Sequence, residues 1–428
     1  MSLAPPSSRR TPRDPLAGAG RWPAHGRRRG RRRVLRLVRT GSAIAVLAAV
    51  AVWLTSSETG TAVPPRPSVV VRLPRVAVAG PATAASLTPA LPWPKTGQSA
   101  VDIPAIGFEA QSGPEPPVPV ASMTKVMTAY VVLHDHPLAL GEQGPSVTMT
   151  GADASQFGLD TVTDQANVVL RAGEVLTEYQ MLQGLLVHSA NDLAYALAAW
   201  DAGSLPAFVA KMNATAAALG MSETHFADAS GFSASSVSTA SDLLKVAALA
   251  MADPVFAQIV SMPAVSLPFA GVVSSYTPLL GTTGVVGIKS GFTSAAGGGD
   301  LLAYRTSVDG HSLLSLAAVT SQEGWTVLEL AGKEALALAK AAAARVQAET
   351  MAPKGAVVAQ VVTGGRAVDV TTGSSAQLLV LPGDRVRQLV RIRLPRNGAR
   401  KGARLGAATF LLAGQVVSVP VRLAARVP

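Results

Sequence analysis

Residues 122–133 read SMTKVMTAYVVL, an apolar run broken near its start by one hydroxyl and one amine three positions apart. A segment apolar nearly all round is a helix buried on every side, so Lys125 stands where a lysine is costly to keep. Spacing of i, i+3 stacks Ser122 and Lys125 on one helix face, near hydrogen-bond reach. A serine hydroxyl is a weak nucleophile until a base takes its proton, and lysine can be that base only as a neutral amine. Its pKa must then fall from about 10.4, through burial or a second cation. With Ser122 at the helix start, free backbone N–H groups and the positive dipole end also stand close to a developing oxyanion.

Ser-x-x-Lys is short enough to recur by chance, so its company matters. The chain has nine lysines, and only Lys125 has serine three positions before it. Of four asparagines, only Asn191 has serine two before it, in Ser189-Ala190-Asn191 at the junction of two helical segments. There a hydroxyl can relay a proton while an amide holds Lys125 and a substrate amide. The same triplet also suits a helix C-cap, with Asn tolerating the left-handed region. Lys-[Ser/Thr]-Gly occurs twice. Lys95-Thr96-Gly97 lies in a Pro-rich stretch and reads as a turn. Lys289-Ser290-Gly291 lies in a strand, where cation and hydroxyl can meet a terminal carboxylate and glycine permits close approach of a substrate lying antiparallel to the edge. Lys289 is also a second cation able to depress Lys125. The alternative for Lys289 is a solvated strand lysine.

Around these residues the period of the pattern changes along the chain. Thr177 with Gln180 forms a capping box that opens a helix, and Thr239 with Asp242 caps another that stops before Pro254. GVVGIKSGF, DLLAYRTSV and HSLLSLAAVT then read as strands, the last two joined by an Asp309-Gly310 turn. A long Ala-rich helix follows over about 324–349, then short Val-rich runs over 355–428 consistent with a small β-sandwich. Helices first and antiparallel strands later make this an α+β chain.

The 428 residues leave room for two domains and a tail. Residues 1–40 carry twelve Arg and one acid, Asp14, which accounts for the formal charge of +11. The remainder is neutral, 25 basic against 25 acidic residues, and presents no evident basic face for phosphates, so nucleic acid is excluded as a partner. Cysteine is absent, which excludes disulfides and thiolate chemistry. After the basic tail, residues 41–55 form an uncharged, apolar signal-anchor or transmembrane segment with its positive end inside. Residues 56–97 read as an extended Pro/Ala-rich linker outside the membrane. The expected location is a cell membrane with the catalytic domain extracytoplasmic, or secretion after cleavage of the segment.

With all three elements in order, the chain resembles the D-alanyl-D-alanine carboxypeptidases, the low-molecular-weight penicillin-binding serine peptidases. The likeness covers roughly 98–320 and extends to flanks such as RAGEVLTEYQMLQGLLVHSANDLAYALA and GIKSGFTSAAGGGDLLAY. It implies a β-lactamase/transpeptidase-like catalytic domain over 98–350, an antiparallel sheet with a helical cluster, followed by the β-rich domain at 355–428. It further implies that Ser122 forms an acyl-enzyme, Lys125 accepts its proton, and Ser189 and Asn191 complete the proton path. Lys289, Ser290 and Gly291 would bind the substrate carboxylate, and the backbone N–H groups of Ser122 and Phe292 would form the oxyanion hole. The implied substrate is the D-Ala-D-Ala end of peptidoglycan stem peptides, with β-lactams as inhibitors and no cofactor or metal. Ser290 replaces the usual Thr, and VDIPAIGFEAQSGPEPP stands where the family often has an Asp-x-x-Thr-Gly turn.

Rival expectations are a D,D-endopeptidase or β-lactamase of the same fold, or a catalytically degenerate wall-binding protein. A class A β-lactamase needs a deacylating Glu, for which Glu223 is the nearest candidate. His188 beside Ser189 is expected to pack, and His134 and His136 lie on no His-Glu-x-x-His frame.

Overall fold

Alternating residues decide how the central sheet is covered. In its middle strands Leu301, Ala303, Leu316 and Ala318 pack into one apolar cluster, while Leu302, Ala317 and Val319 pack into another. Period-two alternation with both faces apolar demands a cover on each side. The second cluster is closed by Ala331, Ala335, Leu338 and Ala339 of the Val327–Ala343 helix. The first is closed by helices Lys125–Asp135, Glu178–Leu186, Asn191–Ala202, Leu205–Ala218, Ala240–Ala252 and Pro254–Val260. The sheet is antiparallel throughout, with spatial order Val285–Thr293, Gly297–Val308, His311–Gln322, Ser99–Ile103, Phe108–Gln111.

The structure, a computed structural model, describes residues 68–71, 90–394 and 398–427, all within one unit spanning 63–428. The basic tail and the apolar run at 41–55 lie outside the described residues. Among the described residues no single helix is long and apolar enough to cross a membrane.

Local chemistry behaves as expected at several ends. Thr177 Oγ accepts from Gln180 N while Gln180 Oε1 accepts from Thr177 N. Thr239 Oγ accepts from Asp242 N at the next cap. The Asp309-Gly310 turn has φ of +48° and +82°, the pair a right-twisted two-residue hairpin requires.

The C-terminal region is an antiparallel six-stranded sheet, ordered Ser68–Val71, Val357–Thr363, Arg366–Thr372, Gln415–Leu423, Arg404–Leu412, Arg387–Ile392. A two-stranded sheet, Gln347–Ala352 with Ala376–Val380, shares its core of Leu378, Val380, Val361, Phe410 and Val421. Three expectations are corrected here. The Ala-rich helix ends at Ala343, and Gln347–Ala352 is a strand, because its residues pair with Ala376–Val380. The stretch read as an extended linker contributes Ser68–Val71 to the six-stranded sheet and buries Leu91 against the central five-stranded sheet. Ser122 lies on a 3-10 turn, Ala121–Thr124, ahead of the α-helix that Lys125 begins.

Candidate active site

The 3-10 turn tightens the Ser122–Lys125 pair, because residues i and i+3 eclipse at three residues per turn. Lys125 Nζ lies 2.9 Å from Ser122 Oγ, 2.5 Å from Asn191 Oδ1 and 2.8 Å from the Ser230 carbonyl oxygen. Lys125 is 0% exposed, whereas Ser122 is half-buried. Burial, reinforced by the nearby Lys289 ammonium, holds Lys125 well below the ordinary lysine range, against the pull of Asp228, Asp160 and Asp192. A neutral amine has two N–H groups and one lone pair. Asn191 and Ser230 accept the two N–H groups, which leaves the lone pair facing the Ser122 hydroxyl.

Each of these partners is fixed by its own neighbours. Asn191 Nδ2 donates to Gln165 Oε1 at 2.6 Å, so the amide oxygen must turn to Lys125. The Ser230 carbonyl sits on a loop wound around Asp228, whose carboxylate accepts from Ser230 Oγ, Ser236 Oγ and the N–H groups of Gly231 and Phe232. Tyr195 reaches the same loop, its hydroxyl 2.9 Å from Ser230 Oγ. Residue type announces none of this, since the atom that touches Lys125 is a backbone oxygen. The available signal was the density of short hydroxyl and carboxylate side chains in Asp228-Ala-Ser-Gly-Phe-Ser, which favours turns.

Ser189, 4% exposed, joins the two helices at φ +62°, and Ala121 precedes the nucleophile at φ +47°. Such backbone costs of order 1 kcal/mol or more per non-glycine residue and persists where the surroundings over-determine it. Among the described residues no hydrogen bond joins Ser189 Oγ to Ser122 or Lys125. His188 packs as expected, its ring 4.8 Å from that of Tyr276 and its Nδ1 3.0 Å from the Ser274 carbonyl oxygen.

Two glycines bring the turn and its neighbours together. A Cβ on Gly231, at φ +81°, would lie 1.8 Å from the Ala121 carbonyl oxygen. One on Gly291 would lie 2.8 Å from Ser122 N and 3.1 Å from Met123 N. The Lys289-Ser290-Gly291 strand therefore runs directly beside the serine turn, and only glycine permits that approach.

Lys289 is buried, with Nζ donating to the Ser290 carbonyl at 2.9 Å; burial lowers its pKa to about 8. Ser290 Oγ donates to the Tyr276 carbonyl at 2.8 Å. Opposite Ser290 in the ladder stands Asp300, fully buried and pushed up to about 7 by desolvation. Its carboxylate is the negative charge that supports Lys289 as a cation. Phe292 follows Gly291 with its ring half exposed.

The other candidates stand apart from this cluster. Lys95-Thr96-Gly97 is a turn with Gly97 at φ +71°, bonded through Thr96 to Gln322. Glu223 is exposed, and its N–H donates to Asp242. His136 lies 3.0 Å from Asp201, which Lys211 also bridges. No cluster of metal-ligating side chains occurs among the described residues. A cavity of about 370 Å³ lined by Asp102, Glu109, Gln111 and Ser241 shares no residue with the serine–lysine pair.

Comparison with known proteins meets this geometry. A family model described as D-alanyl-D-alanine carboxypeptidase matches residues 110–319. The D-alanyl-D-alanine carboxypeptidase DacB2 of Mycobacterium tuberculosis is 38% identical over 185 residues, 42% of this chain and 59% of that protein. The D-alanyl-D-alanine endopeptidase of Escherichia coli is 32% identical over 228 residues, 50% of this chain and 69% of that protein. The chain thus spans about three fifths of the mycobacterial relative's length. In fold it matches the D-alanyl-D-alanine carboxypeptidase of Francisella tularensis, with a TM-score of 0.54 at 19% identity over 78% of this chain and 94% of that one.

Proposed function

Because the chain belongs to the D-alanyl-D-alanine carboxypeptidase family of serine peptidases, we propose that it removes the terminal D-Ala from peptidoglycan stem peptides through an acyl-enzyme on Ser122. The observation that carries this reading is the environment of Lys125: a fully buried amine with two acceptors and a serine hydroxyl at 2.9 Å.

Ser122 Oγ attacks the carbonyl of the penultimate D-Ala as Lys125 takes the hydroxyl proton. The carbonyl oxygen gains charge against the N–H groups of Ser122 and Phe292, a role supported by the close approach of Gly291, the residue before Phe292, to Ser122 N. The leaving amine of the terminal D-Ala takes a proton along the path through Lys125 and Ser189, with Asn191 positioning Lys125. Water then cleaves the ester and regenerates Ser122. Lys289 and Ser290 bind the terminal carboxylate, for which Ser290 exchanges its bond to the Tyr276 carbonyl for one to the substrate. β-Lactams enter by the same acylation.

The test is product analysis. Incubated with a D-Ala-D-Ala pentapeptide and with cross-linked muropeptides, the protein should release free D-Ala from the first. Cleavage of the cross-linked dimers alone would replace this reading with endopeptidase activity, the activity named for the Escherichia coli relative.

The two lysines give the reaction a pH signature. Acylation by penicillin should rise with pH as Lys125 loses its proton, then fall above about pH 8 as Lys289 loses the charge that holds the carboxylate. Lys289→Arg should remove the alkaline fall, since guanidinium stays charged. Asp300→Asn, which removes the negative charge supporting Lys289, should move it to lower pH. An alkaline limb unchanged in both variants would assign it to another group.

We also propose that residues 41–55 hold the chain at a membrane with the catalytic domain outside, on the strength of twelve arginines before an uncharged apolar run. Fractionation with intact-mass measurement of the exported protein tests this, and a mass lacking residues 1–55 would turn the anchor into a cleaved signal.

A further inference from the structure

The neutrality of the chain beyond its basic tail is a cancellation between two regions. Residues 355–428 carry eleven basic and two acidic side chains, whereas residues 41–354 carry fourteen basic and 23 acidic. In the fold five of these basic residues share one surface. Along Arg387–Ile392, Val390 and Ile392 turn inward to the domain core, and Arg387, Leu389 and Arg391 point outward. Arg393 continues the outward set. Two strands away Arg422 is exposed between inward Val421 and Leu423, and its register partner on the neighbouring strand is Arg404. Like charges directly opposite each other destabilise a sheet. Among the described residues, none of these five arginines has an acidic partner, since every ion pair lies between residues 134 and 333.

We propose that this outer sheet face docks on an anionic phospholipid surface, the arginines meeting lipid phosphates and exposed Leu389 and Val416 entering the interface. Charge complementarity is the first ground: clustered Lys and Arg each contribute to attraction by an anionic leaflet, and flanking apolar side chains add buried area. Position in the chain is the second. Ser68–Val71 is hydrogen-bonded into this same sheet, with Ser68 opposite Val362. Only thirteen residues separate Leu54 from Ser68, a reach of at most about 45 Å. The segment proposed to enter the membrane is therefore joined along the chain first to the sheet that carries the arginines. The acidic excess of residues 41–354 is repelled by the same surface, which leaves the basic face as the one drawn to it. This proposal rests on the membrane attachment above and is independent of the acylation chemistry.

The test places the full chain on vesicles of phosphatidylcholine alone or of phosphatidylcholine with phosphatidylglycerol, and follows amide hydrogen exchange in Arg387–Ile392 and Arg404–Leu412. Exchange should slow on the anionic vesicles only, and the protection should disappear in high salt. Replacing Arg387, Arg391, Arg393, Arg404 and Arg422 with Gln should lower the docked population by about fivefold per charge removed, with soluble penicillin acylating Ser122 at an unchanged rate. Equal exchange on both vesicle types overturns the proposal. So does protection that appears only when an anionic wall polymer is added, which would make that polymer the partner. Should the chain fail to stay with neutral vesicles, the attachment reading falls, while exchange on anionic vesicles still decides the docking.

Discussion

Replacing Lys125 with Met or Arg should lower acylation of Ser122 by roughly 10²–10⁴-fold, the scale of a lost general base. Met removes the amine and Arg retains a charge but has no lone pair at neutral pH, so the two variants should fail alike. A structural role would instead separate the two, with Arg, which can still donate to Asn191 and Ser230, the better replacement. Thermal unfolding supplies an independent readout. With its folded pKa held below the unfolded value of 10.5, Lys125 binds fewer protons in the folded protein than in the unfolded chain. Stability therefore rises with pH from the folded pKa toward 10.5, as the cost of keeping the amine neutral shrinks. Lys125→Met should flatten that rise. If it leaves the pH dependence of Tm unchanged, Lys125 is not the group that carries the shifted titration.

Gly291→Ala should cut acylation by about 100-fold, the cost of displacing reacting groups by around 1 Å. The added methyl would lie 2.8 Å from Ser122 N and 3.1 Å from the Ala121 side chain, so either the strand or the serine turn must retreat. Either retreat shifts Ser122 N relative to the Gly291 strand, and with it the proposed oxyanion site. The natural control is Gly310→Ala in the hairpin turn, at φ +82° with nothing within 4 Å. That change should cost about 1 kcal/mol of stability through backbone strain and leave acylation untouched. Equal losses of acylation in the two variants would mean that Gly291 matters only to the fold.

What was legible in the chain follows from where the chemistry resides. The roles proposed for Ser122, Lys125, Asn191 and Gly291 rest on side-chain type or its absence; scarcity of lysine and asparagine made the spacings of the first three unique before any fold was considered, whereas Lys-[Ser/Thr]-Gly occurs twice and needed its place in a strand to be chosen. The capped helices and the Asp309-Gly310 hairpin were legible because caps and turns are local. The Ser230 carbonyl was not, because backbone oxygens carry no residue signature, and neither was the Gln165 contact that orients Asn191 from 26 residues away. Pairing of Ser68–Val71 with a strand almost 300 residues later is likewise invisible to local pattern. The basic sheet face escaped for a different reason: a net charge summed over the chain erased two opposite regional excesses.

Intact mass of the protein after reaction with benzylpenicillin, followed by peptide mapping, tests the central claim most directly. A single penicilloyl adduct on Ser122, absent from Ser122→Ala and from Lys125→Met, is the predicted result. An unmodified wild-type protein, or an equal adduct in Ser122→Ala, would contradict it.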